Sequence, residues 1–144
     1  MNFINDNMSI TVYIEGYTEK PEVFIDEKEG RNALDCTVAY VSKDPFLDGV
    51  MWDEIFKTDG IACLYSLVFD LLRGKTDKMA YKDEWENFIL NVYKKTEDLY
   101  ELHLSILQRS RGSYLNGTFD YTKDNLKELA DELQKYTELY PVIE

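Results

Sequence analysis

Histidine occurs once in this chain of 144 residues, cysteine twice, proline three times and glycine seven times. Each scarcity excludes something. No G-x-G-x-x-G or G-x-x-x-x-G-K is present, so a glycine loop that cradles phosphate is ruled out. One histidine, no cysteine cluster and no H-E-x-x-H leave little with which to hold a transition metal, and no metal or cofactor is expected. "DEKEGRN" from Asp26 has acids and a glycine, but out of register for a calcium loop, and reads as a solvated turn. Cys36 and Cys63 stand 27 positions apart, each in an apolar context and without a C-x-x-C. They read as two buried thiols in a reducing compartment.

Long hydrophobic runs are missing as well. The greasiest stretch, Ile61 to Leu72, is broken by Ser66 and Asp70 and is too short for the ~20 residues that a bilayer requires. The start, "MNFINDNMSI", lacks a basic region followed by an apolar one, so it does not read as a signal peptide and the expected location is cytoplasmic. The glycosylation triplets at Asn7 and Asn116 then read as coincidence.

Positive charge is the last shortage. There are 16 basic against 28 acidic side chains, a net charge of -12. Residues 1 to 60 hold 13 acids and 5 bases, or -8. Such a surface repels phosphate and anionic lipid, weighs against direct nucleic-acid binding and membrane association, and favours a protein partner with a basic surface.

What is present is 44% hydrophobic and rich in aromatics, with 11 Tyr, 7 Phe and 2 Trp, enough for the core of one domain over residues 1–144. "ITVYIEG", "EVFID" and "CTVAYVS" are β-prone runs separated by turn residues, as in an antiparallel meander. Val50 to Phe56 reads as a short helix from its four-residue spacings. In Ile61 to Leu72 the small and polar positions fall on one narrow stripe, which predicts a central core helix closed by Gly74. Asp83 and Glu86 form a capping pair ahead of a third helix, and Trp85, Ile89, Val92, Thr96, Leu99, His103 and Ile106 recur at steps of four and three. The Trp85–Leu107 stripe also offers a surface for a homodimer. Asn116-Gly117 predicts a tight hairpin between the last two helices. The final helix is capped near Asp120 or Thr122, carries Leu126, Leu129, Leu133, Tyr136 and Tyr140 on its apolar face, and ends at Pro141. The expected class is α+β: a small, mainly antiparallel sheet of about three N-terminal strands packed by three principal helices.

Asp70 is explained by an ion pair with Arg73 three residues on, and His103 by a neutral, hydrogen-bonded place in a helix interface. An alternative is a small enzyme or ligand-binding protein with a pocket near Asp70 and His103, rimmed by Arg109 or Arg111. The basic residues Arg73, Lys75, Lys78 and Lys82, with Arg109, Arg111 and Tyr114, would make a modest positive patch if the two loops met. The function expected first is non-catalytic: an inhibitor, antagonist or immunity-type protein binding a basic or nucleic-acid-handling partner. Its face would comprise Tyr13, Glu15, Tyr17, Glu19, Glu22, Asp26, Glu27 and Glu29, with tyrosines as anchors and acids steering association.

Overall fold

The computed structural model describes residues 1–108 and 112–144. Its order is four strands, a helix, four strands, a helix. Strands β1 (Asn2–Ile4), β2 (Met8–Tyr17), β3 (Ala33–Lys43) and β4 (Phe46–Lys57) form one antiparallel sheet in sequence order. Between β2 and β3 lie one 3-10 turn, Pro21–Val23, and the short helix α1 (Glu27–Asn32). Helix α2 (Thr58–Leu72) follows. Strands β5 (Lys78–Lys82), β6 (Phe88–Lys94), β7 (Leu99–Gln108) and β8 (Ser113–Thr122) form a second antiparallel sheet, again in sequence order, and α3 (Lys123–Leu139) closes the chain.

The expected three-stranded sheet with three principal helices is therefore corrected to a mainly β molecule. The third helix does not exist. Its 3–4 spacing is real, but so is a strict alternation through the same residues. Phe88, Leu90 and Val92 point inward from β6, and Tyr100, Leu102, Leu104 and Ile106 point inward from β7. The period of two wins because neighbouring strands complete each ladder and bury that face. The Asp83–Glu86 pair caps no helix: Asp83 accepts from the backbone N–H of Trp85 and Phe88 in the turn between β5 and β6. With the helix goes the homodimer surface assigned to Trp85–Leu107.

Three smaller expectations fail similarly. Val50 to Phe56 lies in β4, paired along β3. "EVFID" forms the 3-10 turn and a bend in place of a strand. Asn116-Gly117 sits mid-strand in β8, opposite Ser105 and Leu104. A Cβ on Gly117 would stand 2.7 Å from both the Met8 sulfur and the Phe119 ring, so the glycine serves close packing and not a turn.

The two terminal faces of the core are joined by aromatics. Phe56 of β4 meets Phe88 of β6 at 4.7 Å between ring centroids, and Phe3 of β1 meets Phe119 of β8 at 5.8 Å. All four rings are fully buried. Helix α2 behaves as expected of a core helix: Ile61, Leu64, Val68 and Leu71 are buried, and Gly74 takes a positive φ just past its end. Each such side chain contributes roughly 1.5–3 kcal/mol on burial. Helix α3 begins at Thr122 with a reciprocal capping box to Asn125, and it packs on α2. Asn32 ties the far end together, donating to Lys28 and Ile143 carbonyls and accepting from Thr58 Oγ1 and the Ile143 N–H. Cys36 is buried, but Cys63 is exposed on α2, which corrects the pair of buried thiols.

Candidate functional site

Because each strand pairs only with its sequence neighbours, each sheet has one inner and one outer face, and alternation decides what the outer face shows. On the second sheet the outer residues are polar and aromatic. Strand β5 contributes Lys78 and Lys82, β6 contributes Asn91 and Tyr93, β7 contributes His103 and Ser105, and β8 contributes Tyr114, Asn116 and Thr118. Tyr93 is 44% exposed and Tyr114 59%.

At the centre of this face the His103 and Tyr93 rings meet edge to face, 5.6 Å apart. His103 Nδ1 lies 3.5 Å from Thr118 Oγ1, and its Nε2 lies 3.5 Å from Glu101 Oε2. A hydrogen bond from Lys95 holds the Glu101 carboxyl below the ordinary range; burial opposes it and His103 adds to it. Tyr114 lies four residues from Thr118 along β8, about 13 Å from the His103 cluster at the strand rise. The two ring positions are thus separated by open sheet bearing Ser105 and Asn116, whose side chains touch at 3.4 Å.

Charge on this face is balanced. Lys82 pairs with Glu86, and Lys95 pairs with Glu101 and Asp120. Lys78 is exposed and has no ion pair among the described residues. On a chain of net charge -12 the face is a neutral window with one uncompensated cation.

The residues singled out from the sequence are scattered. His103 is not in a helix interface; it projects from the outer face of β7. Asp70 bonds Arg73 at 2.8 Å and lies 3.8 Å from Lys75, so the ion-pair explanation holds, while His103 stands on the outer face of the second sheet. Arg109 and Arg111 lie outside the described residues. An apolar cavity of about 370 Å³ sits between α2 and α3 against Tyr65, Phe69, Lys123 and Lys127. Among the described residues no three His, Cys, Asp or Glu side chains gather as metal ligands.

Nor do the acidic candidates form one face. Tyr13 and Glu15 project from the outer face of β2. Tyr17 is held by the chain itself, donating to the Pro141 carbonyl at 2.5 Å and standing edge-on to Tyr140. Asp26 caps α1 through the Glu29 N–H, and Glu29 lies 3.6 Å from Lys57. Glu19, Glu22 and Glu27 are exposed along the intervening segment. Sequence reasoning missed Asn91, Tyr93, Asn116 and Thr118; the alternation from Phe88 to Ile106 was the available signal for Asn91 and Tyr93.

No protein-family model matches the chain, and neither does any curated protein. Solved structures do. WHY1 and WHY3 from Arabidopsis thaliana each superpose with a TM-score of 0.55 at 11% sequence identity, over 97% of this chain and 88% and 86% of theirs. The plant transcriptional regulator PBF-2 superposes with a TM-score of 0.54 at 12% identity, over 97% of this chain and 80% of its own. The chain has a Whirly-like fold. The acidic inhibitor or immunity-type reading is corrected on this ground, together with the basic protein partner and the bar to direct nucleic-acid binding. Net charge describes a whole surface, while binding uses one face of it.

Proposed function

We propose that this protein binds single-stranded nucleic acid on the outer face of its second sheet. The observation that carries the reading is the pairing of exposed aromatic rings with amide and hydroxyl side chains on a neutral face of an acidic chain. Unpaired bases offer π-faces to stack and polar edges to bond, and stacking is worth about 1–3 kcal/mol per base. Tyr93 and Tyr114 would take one base each, with Asn91, Asn116 and Thr118 in reach of base edges. Lys78 and Lys82 line one margin and would accompany the phosphates. The fold likeness to a plant transcriptional regulator supports the same class of ligand.

Charge favours single strands over duplex. A duplex hides its base faces and presents two phosphate chains, which require more cations than this face supplies. With one or two lysines engaged, the logarithmic salt slope should be shallow, about -0.7 to -1.4. Fluorescence anisotropy with a labelled single-stranded oligonucleotide and its duplex tests the reading. Single-strand binding that Tyr93→Ala with Tyr114→Ala weakens at least tenfold is expected. No binding at ~100 µM protein in low salt, or equal binding by the double variant, overturns it.

A further inference from the structure

His103 is the chain's single histidine, and the second sheet sets it in the middle of the polar face. Its side chain is 45% exposed. It stands directly opposite Asn91 of β6 and Thr118 of β8, with Tyr93 on the diagonal. Charged groups surround it from its own strand and from three neighbouring elements. Glu101 lies on β7 itself, with Oε2 3.5 Å from the His103 Nε2. Lys95, from the β6–β7 turn, holds Glu101 at 3.3 Å and reaches Asp120 of β8 at 3.7 Å. Lys78 of β5 faces Tyr93 across the next ladder. On and beside this face Lys78, Lys82 and Lys95 stand against Glu86, Glu101 and Asp120, so a neutral imidazole leaves it without net charge.

We propose that His103 is a proton switch for this face, and that the protein takes up a proton there when it binds a single-stranded nucleic acid. The proposal rests on the nucleic-acid reading and adds the regulation of that site. Imidazole is the side chain that changes charge close to neutral pH. In the neutral ring one nitrogen carries hydrogen. The Glu101 carboxylate takes that hydrogen at Nε2, and Nδ1 then accepts from the Thr118 hydroxyl, 3.5 Å away. Protonation puts hydrogen on both nitrogens. Nδ1 now donates to the Thr118 oxygen, and the hydroxyl hydrogen turns outward, where a phosphate or base acceptor can meet it. The face meanwhile passes from no net charge to one positive charge, on a chain of -12. Glu101 stays ionised over the same interval, because a hydrogen bond from Lys95 holds its carboxyl below the ordinary range. A phosphate drawn to the ring favours the charged form, so ligand and proton bind with positive coupling. The sign follows. Affinity rises as pH falls through the His103 transition and levels off on either side of it.

Fluorescence anisotropy with labelled oligothymidylate, whose base does not titrate over the range used, tests this at about pH 5.5 and about pH 8 in constant salt. The wild type should bind about 5-fold or more tightly at the lower pH. Its logarithmic salt slope should steepen there by about 0.7, the equivalent of one phosphate contact. His103→Gln keeps a polar side chain but cannot take the charge, and should bind alike at both pH values. Asp83 and every other carboxyl remain in that variant, so a pH effect arising elsewhere would persist in it. Proton NMR gives a second readout. With one histidine in the chain, its ring signals are read without assignment, and the midpoint of their titration should rise when saturating oligothymidylate is added. Equal wild-type binding at the two pH values overturns the switch and leaves the nucleic-acid reading intact. So does a pH dependence that His103→Gln retains, or a ring midpoint that the oligonucleotide does not move. No binding at either pH overturns both.

Discussion

The Tyr93 ring stands at 86° to the ring of His103, its diagonal neighbour across the β6–β7 ladder, where Tyr93 itself faces Glu101 and His103 faces Asn91, and both rings are open to solvent. Such an edge-to-face pair is worth about 0.5–1.5 kcal/mol and restrains both rings on a face that would otherwise leave them free. Tyr93→Ala should lower single-stranded oligonucleotide affinity about 5- to 150-fold, the loss of one stacked base. Tyr93→Phe keeps the ring and should keep most of the affinity. Anisotropy titration of the two variants distinguishes stacking from a role for the hydroxyl.

Neighbouring positions in α2 should respond differently to the same charge. Val68 is fully buried, and Val68→Asp places a carboxylate without a partner in the core at a cost of several kcal/mol. Leu67 is only partly buried at the edge of the core. Leu67→Asp should lower the thermal midpoint measurably and leave the protein folded, while Val68→Asp should abolish the cooperative transition. Equal effects would contradict the orientation of the helix.

Asn32 is 6% exposed and makes four hydrogen bonds that join α1, the start of α2 and the segment after α3. Asn32→Ala leaves Thr58 Oγ1 and the Ile143 backbone without their partner, and Thr58 is itself buried. About 2–3 kcal/mol should be lost, read as a shift in the urea midpoint at constant m-value.

Burial raises the Asp83 carboxyl above its ordinary value, against N–H bonds from Phe88 and Trp85 that pull it down. The folded protein therefore holds this proton more tightly than the unfolded chain does. Between the ordinary aspartate pKa and the raised folded one, stability from this group falls as pH rises and recovers as pH falls. Carboxyl-carbon NMR should place the Asp83 midpoint above 3.8. A midpoint at or below that value would contradict the burial.

Elements with a single consistent period were legible in the sequence. In β2 and β3 the β-branched runs allow no helical stripe, and α2 and α3 allow no alternation. Residues 85–107 satisfy both periods, and only the presence of partner strands on either side decides between them. Misreading that segment inverted the candidate site: a residue counted inward on a helix, His103, faces outward on a strand, and Tyr93 was not singled out at all. The acidic segment around Glu22 and Glu27 was visible as charge, but where those charges stand relative to the two sheet faces is a tertiary fact.

Every strand ladder in this molecule closes within one half of the chain, and the halves meet at Gly74, an exposed residue of positive φ with open space around its Cα. The chain can therefore be cut there without opening either sheet. Fragments 1–74 and 75–144 each keep four strands and the helix that follows them, and each exposes the buried rings that the other should cover, Phe3 and Phe56 in one and Phe88 and Phe119 in the other. Expressed together, they should reassemble without a covalent link, whereas each alone should be insoluble. The molecule would then serve as a split reporter whose two pieces recognise each other by the rings they bury, Phe3 and Phe56 against Phe119 and Phe88.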